Sequence, residues 1–271
     1  MKRLYFYMRI IAIAVSSAFG WAACQSVVFV NDLNGVDDDK ESDNGNDTSE
    51  TDNDQCAPTG TTPLVCENFE LNPPTPSQLR NGDVALEQTN VFDGNASMRC
   101  ETTAIESFGY ISNRFEPISQ GIIYFRVHIF IPEGTITGTT KVLNLTSTAS
   151  SDLETSRGID VNISSNRRVE IYQHGNQLRF QSAPDAVLEN IWFCLQGSYT
   201  ISETAGETSI WIDNKLAVST TATIDSIING GVSEFRTGIG WTEQGQNTAV
   251  FYFDNILVDT APVLCAVPSN E

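Results

Sequence analysis

Basic residues are scarce in this chain of 271 residues. There are 15 Lys and Arg against 34 Asp and Glu, which gives a formal net charge of −19. A protein that binds nucleic acid needs Lys and Arg to neutralise phosphates, so this balance argues against nucleic acid as a partner. The excess is uneven, because ten acidic residues and only Lys40 lie between Asp32 and Asp54. That segment contributes −9, and the rest of the chain is mildly acidic.

The chain also lacks any sustained helical repeat of apolar residues. It contains many short alternating segments instead, at a spacing typical of β-sandwiches. The clearest is 121–132, in which every second residue from Ile123 to Ile131 is apolar and the others include Tyr124, Arg126 and His128. Successive side chains of a strand face opposite sides. We therefore predict an all-β, two-sheet antiparallel sandwich with 121–132 as a long central strand.

The first 55 residues have the composition of a signal sequence followed by a hydrophilic spacer. A basic start (Lys2, Arg3) precedes an apolar run that ends at Ala23, as in a secretory signal. Trp-Ala-Ala before Cys24 resembles a bacterial lipobox, whose Cys is lipidated. We predict a lipoprotein-type signal peptide over 1–23, lipidation of Cys24 and anchoring at the bacterial outer membrane or cell surface. Ordinary cleavage near Ala22 or Ala23, giving a secreted or periplasmic protein, is the alternative.

Residues 24–55 are mostly Asp, Asn, Ser, Thr and Gly. Such a composition does not bury enough apolar surface to offset the entropy of ordering, so we predict a disordered acidic tether. The folded domain is predicted over 56–271.

Six segments together carry a resemblance to a known family. They are CENFE (66–70), DGNASMRC (93–100), FRVHIFIP (125–132), IWFCLQGSYTI (191–201), SIWIDNKLAVST (209–220) and VFYFDNILVDTAP (250–262). They resemble segments of the bacterial concanavalin A-like lectin/glucanase superfamily. The resemblance covers about 56–265 and implies a LamG-like jelly roll. It implies a carbohydrate or polysaccharide partner more weakly, since one fold serves many functions.

Motifs for catalysis are missing. The sequence has no G-x-S-x-G, no H-E-x-x-H, no pair of C-x-x-C motifs and no glycine-rich phosphate loop. The E-x-D-x-E strand of related glucanases is also absent. Related alginate-type lyases carry Q-x-H and a later F-K-x-G-x-Y strand, whose Tyr moves the proton. This chain has adjacent Gln173 and His174, which face opposite ways, and Gly240 where the Tyr would be. We therefore predict carbohydrate binding without catalysis.

The predicted binding face is the polar side of the central strand. Tyr124, Arg126 and His128 share it, and Trp241 and Glu243 are placed at its rim. An aromatic ring with planar hydrogen-bonding groups suits a sugar, and Arg suits a uronate carboxylate. Two alternatives remain, a lyase or glycoside hydrolase with displaced catalytic residues and an adhesive protein without a glycan ligand.

The resemblance also implies a structural calcium site. Glu67 and Glu70 of the first strand and Asp254 of the last are the candidate ligands. A strand-end Asp254 that only caps a turn is the alternative.

The cysteines fit an exported protein. First and last strands are neighbours in the related fold, which implies a bridge from Cys265 to Cys56 or Cys66. Cys100 with Cys194 is the second predicted pair. One of these five thiols stays free if Cys24 is lipidated, and all six cysteines can pair if it is not.

Overall fold

The computed structural model describes residues 62–70, 72–148, 158–220, 226, 230–246 and 248–265. Within these ranges the chain forms 15 β-strands and no helix, hence none long and apolar enough to cross a membrane. The predicted signal peptide, acidic tether, Cys24 and Cys56 lie outside the described residues.

Two antiparallel sheets form the domain. Sheet A contains eight strands: β1 (Val65–Glu67), β3 (Gly82–Glu87), β4 (Ser97–Thr102), β6 (Gly121–Phe130), β11 (Phe193–Ile201), β12 (Glu207–Ile212), β13 (Lys215–Ser219) and β15 (Ala249–Asp259). Sheet B contains seven: β2 (Gln78–Arg80), β5 (Phe108–Ile118), β7 (Thr140–Thr146), β8 (Ile159–Ile163), β9 (Val169–Gln173), β10 (Leu178–Gln181) and β14 (Val232–Thr242). This confirms the predicted all-β, two-sheet antiparallel sandwich.

The strand orders show which elements are central. Sheet A runs β13-β12-β11-β6-β15-β4-β3, with β1 paired to β15, and sheet B runs β10-β9-β8-β7-β14-β5-β2. β6 is therefore a central strand, as predicted. β1 and β15 are neighbours, as the resemblance implies.

The core lies between the sheets. Ile123, Phe125, Val127 and Ile129 of β6 are fully buried, which confirms the inward face predicted from their alternation. Phe125 meets Phe235 of the opposite sheet, with ring centroids 5.8 Å apart. Burial of each such side chain stabilises the fold by about 1.5–3 kcal/mol.

The sequence predicts a turn at Asp213-Asn214-Lys215 and a two-residue hairpin turn at Gly175-Asn176, and only the first of these is found in the structure. Asp213 and Asn214, both with positive φ, join Ile212 to its partner Lys215 in the predicted turn. The predicted two-residue turn at 175–176 is wrong. Pairing ends at Gln173 with Leu178, and the loop 174–177 has its left-handed residue at position 177.

The predicted cysteine pairs are wrong. Cys194 is bonded to Cys265, with Cα atoms 5.9 Å apart, and Cys100 is a buried free thiol. Cys194 lies on the outer face of sheet A, where the segment after β15 returns across it. The side chain of Cys100 lies in the core, which separates it from Cys194. Cys66 is also disulfide-bonded.

Candidate functional site

The outer face of β6 is covered by other parts of the chain. His128 is 2% exposed, and its ring stacks on Phe92 with centroids 3.7 Å apart. Nη1 of Arg126 donates a hydrogen bond to the carbonyl oxygen of Leu264, at 2.8 Å. Tyr124 is partly buried on the same face. The surface predicted to bind carbohydrate therefore lies beneath the loop at Phe92 and the segment that ends at Cys265.

His128 is a neutral packing group. Burial, reinforced by the charge of Arg126, lowers its pKa to about 3. Neither ring nitrogen has a hydrogen-bond partner within the described part of the chain. An uncharged imidazole stacked on a phenyl ring suits this apolar position, whereas an imidazolium would be unsolvated beside a guanidinium.

Trp241 and Glu243 belong to the other sheet. Trp241 is in β14, pairs with Lys141 of β7 and is 38% exposed. Glu243 follows β14, and its Oε2 accepts a hydrogen bond from the backbone N–H of Thr139, at 3.1 Å. The prediction that both residues lie at the rim of the β6 face is wrong. Alternation shows which side chains share a face of one strand, not which sheet that strand joins.

A groove of about 310 Å³ lies on the outer face of sheet B. Its lining combines four basic side chains, two amides and three aromatic rings: Arg80, Lys141, His174, Arg236, Gln78, Asn144, Phe108, Tyr110 and Trp241. Glu106 also contributes to the lining. Aromatic surface beside planar hydrogen-bonding groups suits a ring-shaped polar ligand.

One row of side chains crosses six strands of this sheet. Its members are register partners from strand to strand: Ser112, Arg236, Asn144, Asp160, Tyr172 and Arg179. Neighbouring strands lie about 4.8 Å apart, so the row is about 24 Å long. We call these six residues the polar row.

Asp160 is the buried centre of the polar row. Its Oδ2 lies 2.7 Å from Nζ of Lys141 and 2.9 Å from Nε2 of His174, the latter too oblique for a well-formed hydrogen bond. Its Oδ1 accepts a hydrogen bond from Nδ2 of Asn144, at 2.8 Å. Burial opposes ionisation, but His174 and Lys141 outweigh it and hold the pKa of Asp160 below its usual range. The carboxylate therefore anchors three groove side chains.

Glu234 of β14 holds the two members of the polar row at its other end, Arg236 and Ser112, by the same kind of contact. Its Oε2 accepts a hydrogen bond from Nη2 of Arg236, at 2.7 Å, and its Oε1 accepts one from the hydroxyl of Ser112. Burial opposes ionisation, but Arg236 and Ser112 lower the pKa of Glu234. The side chains of Asp160 and Glu234 are 5% exposed, and those of Lys141 and Arg236 are 22% exposed. The side chains of Lys141 and Arg236 are therefore more accessible to a ligand than the two carboxylates are.

Gly240 leaves room for Lys141. A Cβ at position 240 would lie 2.9 Å from Cδ of Lys141, so the lysine stem passes over the glycine. The stem of Lys141 thus fills the space beside position 240, the position compared above with the Tyr of the lyase motif. Tyr110 of the groove lies in β5 opposite Gly238, and burial raises the pKa of its phenol. It is therefore a protonated hydroxyl rather than a base.

Sequence reasoning missed Lys141, Asn144 and Asp160. A signal for Asn144 and Asp160 exists in β7, β8 and β9, where apolar inward residues alternate with charged or amide residues at outward positions. Alternation does not find Lys141, which reaches the same face as Asn144 through an irregularity in the register between Lys141 and Leu143. From the sequence, His174 is considered only as part of a possible lyase motif. The expectation that Gln173 and His174 face opposite ways is met, since Gln173 is buried opposite Ile159 and His174 lines the groove.

The three predicted calcium ligands do not form one cluster. The described residues hold no group of three or more carboxylate, imidazole or thiol side chains suited to a metal ion. Glu67 accepts a hydrogen bond from Nδ2 of Asn113, at 2.7 Å. Oε1 of Glu70 accepts one from the backbone N–H of Asn95, at 2.7 Å. Asp254 accepts hydrogen bonds from backbone N–H groups of the loop that also contains Asn95.

These hydrogen bonds satisfy the predicted ligands without an ion. Oδ2 of Asp254 accepts from the N–H groups of Phe92 and Asp93, at 3.1 and 3.3 Å. Burial raises the pKa of Asp254 to about 7. The residues present do not fit a three-carboxylate site, and the turn-capping alternative describes Asp254 well.

Comparison with known proteins identifies the fold. No family model and no curated protein matches the sequence. A cellulose-induced protein, Cip1, is similar over 74% of this chain and 100% of its own, with 13% identity and a TM-score of 0.54. An endo-β-1,4-glucuronan lyase of the fungus Trichoderma reesei is similar over 74% and 96%, with 15% identity and a TM-score of 0.53. The alginate lyase vAL-1 of a Chlorella virus is similar over 73% and 99%, with 12% identity and a TM-score of 0.50. At such identities these likenesses show the fold alone, a concanavalin A-like jelly roll.

Proposed function

We propose that the groove on sheet B binds an acidic polysaccharide that contains uronic acid units. The observation behind this proposal is that partly exposed cationic groups in the groove lie over buried carboxylates. Lys141 and Arg236 form the accessible layer, and Asp160 and Glu234 hold them from beneath. Two of the similar structures are lyases for glucuronan and alginate, which supports a ligand of this kind.

Each lining residue has a part in this proposal. Arg236 presents its planar guanidinium to a carboxylate, for which bidentate pairing is the strong arrangement. Lys141 adds a compact charge nearby. Trp241 offers a partly exposed ring for stacking on a sugar. Gln78, which is exposed, supplies an amide group for hydroxyls.

Titration calorimetry with the full chain tests the proposal. The panel contains polyglucuronate, alginate, a sulfated glycan and a neutral glucan, each with calcium and with chelator. We expect binding to the polyuronates, weakened about tenfold by Arg236→Gln or Lys141→Met through loss of one charge-assisted contact. Arg167→Gln, which removes an exposed arginine paired with Asp185 elsewhere, is the matched control.

Two results would contradict this assignment. A panel without any binding would favour the adhesive protein without a glycan ligand. Binding that survives Arg236→Gln but is lost in a folded Arg126→Ala variant would move the site to the face of β6.

A lyase is the second candidate, favoured by the pair of His174 and Asp160 in the groove. Removal of the proton beside a uronate carboxyl needs a base and a group that neutralises the carboxylate. His174 lies beside the buried Asp160 carboxylate, and Arg236 lies on the same groove. Ultraviolet absorbance of an unsaturated uronate product detects such turnover. A product signal abolished by His174→Ala would establish the enzyme, and its absence would leave a binding domain.

We also propose that this domain is carried at the bacterial surface as a lipoprotein. The support is the lipobox-like sequence before Cys24. Labelling with a radioactive fatty acid tests it. We expect label in the wild type and none in Cys24→Ala, and an unlabelled wild-type protein would contradict the anchor.

A further inference from the structure

The polar row continues beyond the groove to a second basic group. Tyr172 of β9 is the register partner of Asp160, and Arg179 of β10 is the register partner of Tyr172. The guanidinium carbon of Arg179 lies 5.1 Å from the centroid of the Tyr172 ring. That ring meets His174 of the groove edge-on, with centroids 4.9 Å apart. The two regions therefore form one continuous surface.

Arg179 is available to a ligand, and the acid beneath it is shielded. The side chain of Arg179 is 61% exposed, whereas Glu170 beneath it is buried. Glu170 accepts hydrogen bonds from Arg179, Gln181 and Asn162, at 3.2, 2.8 and 3.0 Å. With three donors and almost no exposure, this carboxylate presents little negative charge to a polyanion.

The register also fixes the span between the two arginines. Arg236 and Arg179 are separated by four strand spacings, or about 19 Å. This exceeds the size of one sugar unit several times over. Between them lie His174, Lys141 and Asn144, which line the groove.

We propose that Tyr172 and Arg179 form a distal subsite for a second carboxylate of the same acidic polysaccharide. The site thus selects chains of several uronate units over mono- and disaccharides. This inference rests on the proposed function of the groove. Arg179 supplies the charge, and Tyr172 supports the guanidinium and offers ring surface to a sugar.

Oligouronides of increasing length test the subsite. For the wild type we expect affinity to rise with length until the chain spans both arginines. Arg179→Gln should remove the last rise, by about tenfold, and leave the affinity for the shortest ligand unchanged. Gln181 and Asn162 still donate to Glu170 in that variant, which keeps the buried carboxylate paired. Tyr172→Leu should also weaken long oligouronides more than short ones, with a smaller effect on short ones through its contact with His174. Arg167→Gln is the control.

The outcomes separate this inference from the proposed function. If the wild type binds no oligouronide of any length, the groove assignment fails. If it binds but affinity does not depend on length, the distal subsite is wrong. The subsite is also wrong if Arg179→Gln weakens short and long ligands equally.

Discussion

Single residues decide which side chains reach the groove. Gly240 is the clearest case, because its missing Cβ gives the stem of Lys141 its path toward Asp160. The lysine then shares one carboxylate oxygen with His174. Small changes at position 240 should therefore act on binding through Lys141.

Gly240→Ala should weaken polyuronate binding by displacing Lys141. A Cβ at 2.9 Å from Cδ of Lys141 forces the stem to move, and loss of one charge-assisted contact weakens binding about tenfold, or by ~1.4 kcal/mol. Lys141→Met should cost a similar amount, and the double variant should cost no more than either single change. Titration calorimetry measures all three. Additive losses would show that Gly240 acts independently of Lys141.

His128 should make the protein sensitive to acid. Its pKa is about 3 when folded and about 6.5 when unfolded. The unfolded state therefore binds more protons between these values, so stability is present above pH 6.5 and is lost as pH falls toward 3. The loss is at most ~5 kcal/mol.

Denaturant titrations of the wild type and His128→Phe check this sign. The variant keeps the stack on Phe92 but does not titrate, so its stability should fall less between pH 6.5 and 3. Acid losses from Asp160 and Glu234 are common to both proteins and cancel in the comparison. Parallel pH profiles would contradict the assignment.

At the scale of elements, the segment after β15 works as a cover held by one covalent bond. Within this segment, Val263 is buried, the carbonyl oxygen of Leu264 accepts a hydrogen bond from Arg126, and Cys265 is bonded to Cys194. The bond closes a loop of 71 residues in sequence. A disulfide bond and a hydrogen bond therefore hold the segment after β15 over the outer face of β6.

Replacing both Cys194 and Cys265 by Ser should destabilise the fold by about 2–4 kcal/mol. We also expect faster hydrogen exchange over 260–265, because only non-covalent contacts, chiefly the Arg126 hydrogen bond and the packing of Val263, then hold the segment. Denaturant unfolding and exchange measured by mass spectrometry check the two effects. Unchanged exchange in that segment would show that packing rather than the disulfide holds it.

The alternation of apolar and polar residues predicted most strands, but not how the strands pair within the two sheets. It located β6 and its inward residues, since a period of two is visible in one strand alone. It missed β2 and β3, which are edge strands after a proline-rich stretch: Gln78–Arg80 is short and exposed throughout, and Gly82–Glu87 has only Val84 buried. The polar row was not predictable from spacing, because its members come from six strands whose register only the fold defines.

At the scale of the whole molecule, charge should oppose the proposed ligand. The net charge of −19 repels a polyanion at long range, while Lys141 and Arg236 attract it only at contact. Such long-range repulsion is screened beyond about 10 Å at 0.1 M salt. The ten acidic residues of 32–54 supply about half of it.

Changing the ten acidic residues of 32–54 to Asn or Gln in the full chain should therefore speed polyuronate association at low salt. The dissociation rate should not change, because the groove is intact. The gain should disappear at high salt. Stopped-flow binding across ionic strengths measures this, and a gain that persists in high salt would mean that the segment contacts the ligand directly.

The place of β15 has a consequence for how the chain matures. Of the strands described, β15 is the last in sequence, yet it lies between β6 and β4 in the middle of sheet A. Until β15 emerges from the ribosome, those two strands keep open edges, which are templates for aggregation. Sheet A therefore cannot close before β15 has been synthesised. A truncation before Ala249 should yield an insoluble product rather than a smaller domain.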